Sequence, residues 1–131
     1  MTAEQTLRAL AADKILIFDG GYGTSIQKHG LTEADYRGTL DLPKDQKGNN
    51  DLLCLTRPDI VEGIHSAYLD AGADMIETNT FSSTKIAMAD YGCEHLVWDI
   101  NIAAAKLART ACEKATAKDG RPRFVCGSIG P

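Results

Sequence analysis

Three short stretches hold the residue types that can do chemistry. Asp19, Gly20, Gly21, Tyr22, Gly23 and Thr24 follow directly on an apolar run. Glycines at such a point let backbone N–H groups come close to a ligand, and those donors suit a carboxylate or a phosphate. An ionised aspartate only accepts hydrogen bonds and suits an ammonium group. Asp19 with Gly20 and Gly21 can therefore grip an amino acid by both charged ends. The same residues also make a tight strand-to-loop turn with Asp19 capping the backbone, and both readings stand at this point. The pattern is not a dinucleotide fingerprint, since Gly-x-Gly-x-x-Gly is absent. It is not a Walker loop either, since no Gly-Lys-[Ser/Thr] follows.

Glu77, Thr78, Asn79 and Thr80 end a second apolar run. In extended chain, Glu77, Asn79 and Phe81 share one side, and Thr78 and Thr80 share the other. A carboxylate and an amide there line a pocket, or they bond to neighbouring strand ends. Gly48, Asn49, Asn50 and Asp51 form the third stretch, which clasps a ligand or a metal, or makes Asx turns, the commoner use of such residues. His29, His65 and His95 show no ligand spacing. His65 falls on or beside an apolar helical face, and His95 near a helix start as a solvated residue. Tyr68 and Trp98 read as packing residues. No Ser/His/Asp or Cys/His constellation assembles from local context.

The elements that position these residues follow from periodicity and caps. Thr2 and Gln5 fit a capping box, with Leu7, Leu10 and Ala11 behind it, which predicts a short helix ending near Ala12. Residues 14–18 form an unbroken apolar run, the pattern of a strand buried on both faces in a parallel sheet. From 22 to 55 no long periodicity survives, and a loop of that length is commonly functional. One or two helical turns fit residues 25–29. Thr56 as cap, Pro58 in the first turn and Asp59 beside it open a helix. Its face is Ile60, Val61, Ile64, Ala67, Tyr68 and Ala71, and Gly72 stops it. Residues 74–80 form the next strand. Ser82 caps a short helix through Tyr91, and a long helix covers 94–118. The core face of the long helix is Leu96, Val97, Ile100, Ala104, Leu107, Ala108, Ala111 and Cys112. Residues 123–127 form a third strand. Strands alternating with helices predict an α/β fold with a parallel sheet and right-handed crossovers.

Composition bounds the partners. The 131 residues leave room for one domain at about 100–200 residues each. With 44% hydrophobic residues and a net charge of −4, the chain is too apolar and too weakly charged for disorder. No basic surplus exists to neutralise phosphates, so no nucleic-acid partner is expected. No apolar stretch is long enough for a membrane span. Cys54, Cys93, Cys112 and Cys126 lie 39, 19 and 14 residues apart, which excludes a Cys-x-x-Cys pair. They read as reduced cysteines of a cytoplasmic protein.

Taken in order, these residues resemble one family. Ile-Leu-Ile-Phe-Asp-Gly-Gly-Tyr-Gly-Thr-Ser-Ile-Gln (15–27), Leu-Thr-Glu-Ala-Asp-Tyr-Arg-Gly (31–38) and Lys-Gly-Asn-Asn-Asp-Leu-Leu (47–53) are similar to cobalamin-dependent methionine synthase. So are Ala-Gly-Ala-Asp-Met-Ile-Glu-Thr-Asn-Thr-Phe (71–81), Ile-Ala-Met-Ala-Asp-Tyr (86–91), Ala-Ala-Ala-Lys-Leu-Ala-Arg (103–109) and Gly-Ser-Ile-Gly-Pro (127–131). The resemblance covers the start of that enzyme's homocysteine-binding module, a (β/α)8 TIM barrel. It implies that the chain, 1–131, is an N-terminal fragment carrying the first three strands and intervening helices of an incomplete barrel.

In the family, homocysteine binds zinc as a thiolate and is methylated by methylcobalamin, itself recharged from methyltetrahydrofolate. The resemblance implies that Asp19 meets the substrate ammonium and that Gly20 and Gly21 present N–H groups near its carboxylate. Glu77, Asn79 and Thr80 would stand at the rim or behind it. The family's zinc ligands come from a late strand and a Gly-Gly-Cys-Cys-Gly stretch, neither of which this sequence contains, so no cysteine here is assigned to metal. The implied partners are homocysteine and the methylcobalamin-carrying and folate-binding modules of a parent chain, and the fragment alone is expected to be inactive. Two alternatives remain open. One is a sister homocysteine S-methyltransferase using betaine or S-methylmethionine, and the other is a non-catalytic amino-acid-binding α/β domain.

Overall fold

Thr2 closes the capping box that its spacing predicts. Its hydroxyl accepts the Gln5 N–H while the Gln5 side chain takes the Thr2 N–H, and helix α1 runs Ala3–Asp13. The computed structural model describes residues 1–131, and α1 is a surface element that buries none of its residues. Helix α2 (Tyr22–Gln27) starts three residues before the helical turns read from the sequence.

The segment 22–55 is more helical than its missing periodicity suggests. Thr32 and Asp35 form a second capping box that opens helix α3 (Glu33–Arg37). A 3-10 turn at Asn50–Leu52 runs into helix α4 (Leu53–Thr56). Thr56 therefore ends a helix instead of capping the next. Its hydroxyl donates to the Leu52 carbonyl at 3.4 Å, and helix α5 (Pro58–Asp70) begins on Pro58 with no side-chain cap. On α5, Ile60, Val61, Ile64 and Leu69 are buried together with His65, whereas Ala67 and Ala71 are exposed. The apolar face is thus rotated from the one the small residues suggested.

Strand β1 (Met75–Glu77) and strand β2 (Phe124–Cys126) pair in parallel, with Met75 beside Phe124 and Glu77 beside Cys126. The expected strand over 14–18 does not form. Only a single parallel bridge, Phe18 to Met75, joins it to the sheet. The Asp74 side chain takes the Ile17 N–H at 2.9 Å, occupying a donor that a neighbouring strand would otherwise use. An unbroken apolar run predicts burial on both faces, yet Ile15 is 84% exposed and Ile17 52%. An apolar run signals a doubly covered strand only where a second layer covers it, and no element covers Ile15 or Ile17 here. The sheet is therefore two strands and a bridge, short of the three strands expected.

Helix α6 (Lys85–Ala89) is capped by Thr84, whose hydroxyl accepts the Ala87 N–H, and not by Ser82. Another 3-10 turn, Glu94–Leu96, precedes helix α7 (Val97–Asp119), which Gly120 terminates in the left-handed conformation. Ile100, Ala104, Ala108, Ala111, Cys112 and Ala115 form its buried face, while Leu96, Val97 and Leu107 are only half-buried. The small alanines let α7 lie close to α5, and Ile76 of β1 completes that layer with Leu69 and Ala73. Trp98 is not a packing residue: it is 76% exposed. No helix is long and apolar enough to cross a membrane.

Candidate functional site

At the carboxyl end of β1 a cleft of about 460 Å³ opens. Its walls include Gly20, Gly21 and Tyr22 from the first turn, Gly48 to Asp51 from the long connection, and Glu77, Asn79 and Phe81 from beyond the strand. Strand alternation explains the last three. Glu77, Asn79 and Phe81 all face the cleft as their spacing predicts, although the strand itself ends at Glu77. Thr78 and Thr80 point the other way: their hydroxyls meet at 2.7 Å, and Thr80 donates to the Ser128 carbonyl at 2.8 Å. Thr80 is buried and does not line the cleft.

The glycine turn leaves two backbone donors free. The Gly20 and Gly21 N–H groups find no acceptor within the chain. Gly21 has φ +44°, and a Cβ there would come within 2.9 Å of the Tyr68 hydroxyl, so the fold itself demands glycine. Gly20 differs. A Cβ at that position would meet nothing within 4 Å.

Asp19 adjoins the cleft through its neighbour Gly20 and through its partners Tyr22 and Glu77. Its Oδ2 accepts the Tyr22 hydroxyl at 2.7 Å and the Glu77 N–H at 2.9 Å. Its Oδ1 is buried with no partner. Burial pushes the Asp19 carboxyl above the usual range, against the opposing pull of those two donors. The Tyr22 hydroxyl also contacts Nδ1 of His65, which comes from α5 and is fully buried. Burial lowers the His65 imidazole to about 4, so the ring is neutral near pH 7. Burial, and then the adjacent Asp19 carboxylate, raise the Tyr22 phenol. Of the two places open to a residue on or beside the apolar face, packed or at the surface, His65 takes the packed one. Its contact with Tyr22 spans 43 residues and has no sequence signal beyond its place beside Ile64.

The polar run 48–51 makes no local Asx turns around itself. Asp51 Oδ2 accepts the Ser82 N–H at 2.7 Å and the Ser83 hydroxyl at 2.8 Å, and burial raises its carboxyl. The Asn79 amide donates to the Asn50 carbonyl at 3.0 Å. Asn49 lies among Gln46 and Cys93, all three buried. These residues tie the long connection to the segment after β1 and so shape one wall of the cleft. His29 and His95 are exposed and stand outside it.

The side chains do not fit a metal. No three His, Cys, Asp or Glu groups converge to hold one. The cysteines are unpaired and scattered: Cys54 donates toward the Asn79 carbonyl, Cys93 toward Gln46, and Cys112 toward the Phe124 carbonyl. Burial pushes Cys54 up to about 12 and Cys112 to about 11, and it raises Cys93 as well. Thiols so placed stay protonated near neutrality, whereas a metal takes the thiolate.

Residues 16–131 match the family model described as homocysteine S-methyltransferase. Among solved structures, the chain is similar to the homocysteine methyltransferase MmuM from Escherichia coli. With the oxidized form of MmuM it shares 26% identity at a TM-score of 0.75, over 95% of this chain and 40% of that one. With the metallated form the values are 25% and 0.74, over 95% and 41%. The chain thus spans about 40% of the length of the solved relatives it matches.

Proposed function

We propose that this chain, which belongs to the homocysteine S-methyltransferase family, supplies the amino-acid-gripping part of a homocysteine site in a methyltransferase. Asp19 takes the substrate ammonium through Oδ1, and the Gly20 and Gly21 N–H groups take its carboxylate. Glu77 and Asn79 line the wall along which the side chain runs, and Thr80 braces that wall from behind. The observation that carries this reading is the unpartnered, buried Oδ1 of Asp19 next to two unpartnered glycine N–H groups. Buried polar atoms are nearly always satisfied, and an α-amino acid offers both missing partners at once. A carboxylate held near two backbone dipoles and an ammonium held at an aspartate leave the sulfur end of the substrate pointing outward from the grip.

The chemistry assigned to the parent enzyme is transfer of a methyl group to the homocysteine sulfur, giving methionine. The donor favoured by the sequence resemblance is methylcobalamin, recharged from methyltetrahydrofolate on further modules of the same chain. Betaine or S-methylmethionine is the alternative. The parallel pair of β1 and β2 suits the opening of a (β/α)8 barrel, a fold whose ligands bind at the carboxyl ends of the strands. Zinc, implied by the resemblance, is not held by these residues, and none of the four thiols is assigned to it. Four unpaired thiols suit a reducing compartment, the cytoplasm.

Calorimetry on the purified chain tests the grip. Homocysteine is titrated against its desamino analogue 4-sulfanylbutanoate and its decarboxy analogue 3-aminopropane-1-thiol. Removing either charged end should weaken binding about tenfold or more, the scale of one charge-assisted hydrogen bond. Equal binding of all three, or no binding of homocysteine at millimolar concentration, overturns the reading.

A further inference from the structure

We propose that Tyr22 and His65 are positioning residues for Asp19, acting as a one-directional relay that fixes which carboxylate oxygen faces the ligand; the inference rests on the assignment of Asp19 to the substrate ammonium. Tyr22 lines the cleft but its hydroxyl is turned to Asp19 and His65, and His65 stands outside the cleft. The Tyr22 hydroxyl lies against both Asp19 Oδ2 and His65 Nδ1 but has a single proton. An ionised carboxylate only accepts, so that proton goes to Asp19. The Tyr22 oxygen must then accept from His65, which requires the Nδ1–H tautomer of the neutral ring. The order is His65 Nδ1–H to Tyr22 oxygen, then Tyr22 O–H to Asp19 Oδ2.

Asp19 Oδ2, with two donors on it, is satisfied and held in place, so Oδ1 is the Asp19 oxygen left for a ligand cation. In addition, His65 Nε2 is buried without a partner in either tautomer. That orphaned nitrogen would be hard to explain if His65 were only filling space, because an apolar side chain would fill it without the desolvation cost. Tyr22 is further fixed by its ring, which meets the His65 ring edge-on at 5.1 Å and stacks on Tyr68 at 5.8 Å. The titratable groups facing the relay are Asp19 and Glu77 from the sheet side, and Tyr68 and Glu62 from α5.

The test uses the ligand-free chain, so its outcome is independent of whether homocysteine binds. The Asp19 carboxyl carbon is followed by NMR titration in the native chain, in Tyr22→Phe, in His65→Leu and in His65→Asn. Tyr22→Phe removes the donor and should raise the Asp19 midpoint. His65→Leu never touches Asp19 yet should raise it too, while His65→Asn, whose amide N–H stands where Nδ1–H stood, should bring it back. The imidazole nitrogen spectrum should show one Nδ1–H tautomer in the native chain and a mixture in Tyr22→Phe. An Asp19 midpoint unmoved by His65→Leu, or a His65 ring in the Nε2–H form, overturns the relay. Should His65→Leu not fold, the tautomer in the native chain and in Tyr22→Phe decides. If the relay holds while native chain binds homocysteine and 4-sulfanylbutanoate alike, the assignment of Asp19 to the ammonium falls and the relay stands as structure.

Discussion

Asp19 and Glu77 are joined across 58 residues of sequence by a single hydrogen bond, the Glu77 N–H donating to Asp19 Oδ2 at 2.9 Å. That bond aligns the ends of two parallel segments, and it holds the first turn against the end of β1. It also gives the proposed ammonium contact a pH signature. Only the ionised Asp19 attracts an ammonium, and burial raises its carboxyl above the ordinary 3.8. Affinity for homocysteine should therefore start to fall, as pH is lowered, earlier than an ordinary aspartate would allow. Asp19→Asn should weaken binding and remove this pH dependence. Calorimetry at a series of pH values measures both, and a flat profile in the native chain contradicts the contact.

The two glycines of the turn should separate stability from binding. Gly21→Ala places a side chain in the left-handed region and against the Tyr68 hydroxyl, so a loss of about 1–2 kcal/mol is expected. Gly20→Ala adds a methyl group into open space and should leave the melting temperature nearly unchanged. If the Gly20 N–H approaches a substrate carboxylate, the same change should weaken homocysteine binding. Thermal unfolding followed by circular dichroism, together with calorimetry, reads the two effects apart.

The buried imidazole makes stability depend on pH with a definite sign. His65 titrates at about 4 in the folded chain and near 6.5 when unfolded. Below pH 6.5 the unfolded state takes up a proton that the folded state refuses, so stability is lost as pH falls from 6.5 toward 4. The full loss is up to about 3 kcal/mol at 1.4 kcal/mol per pKa unit. The raised carboxyls of Asp19 and Asp51 act in the opposite sense, since their folded forms hold a proton longer than the unfolded chain does. Urea unfolding at pH 7, 6 and 5 should show the decline in the native chain and flatten it in His65→Asn.

Packing between α5 and α7 depends on alanines. Ala108 is fully buried where the two helices and β1 meet. Ala108→Leu adds three carbons to a filled layer and should cost about 1–3 kcal/mol. Ala105→Leu, on the exposed side of the same helix, should be within about 0.5 kcal/mol of the native chain. Comparable losses at the two positions would mean that the alanine face is not the contact.

The long helices and the sidedness of 77–81 were legible because their signals are local: a capping box, a proline in the first turn, alternation along extended chain. The apolar run 14–18 misled for a physical reason. Hydrophobic content reports that a strand can be buried, while its burial depends on neighbours the run does not encode. Thr84 rather than Ser82 caps α6 because the helix begins at Lys85, directly after Thr84, whose hydroxyl reaches the Ala87 N–H. Within 22–55, Thr32 and Asp35 carry a capping signal in Asp form, but the helix it opens is too short to show periodicity. The cleft's glycines, Glu77 and Asn79 were visible as types at strand ends. The Tyr22–His65 pair was not, since nothing local ties residues 43 positions apart.

Trp98, the chain's one tryptophan, stands in solvent at the start of α7. Its indole is already mostly in solvent in the native state, so its emission is red and shifts little when the core melts. The four tyrosines are placed the other way: Tyr36 is buried, and Tyr22, Tyr68 and Tyr91 are half-buried. Excited at the usual tryptophan wavelength, this molecule would look unfolded while intact. Its loss of structure is written in tyrosine absorbance.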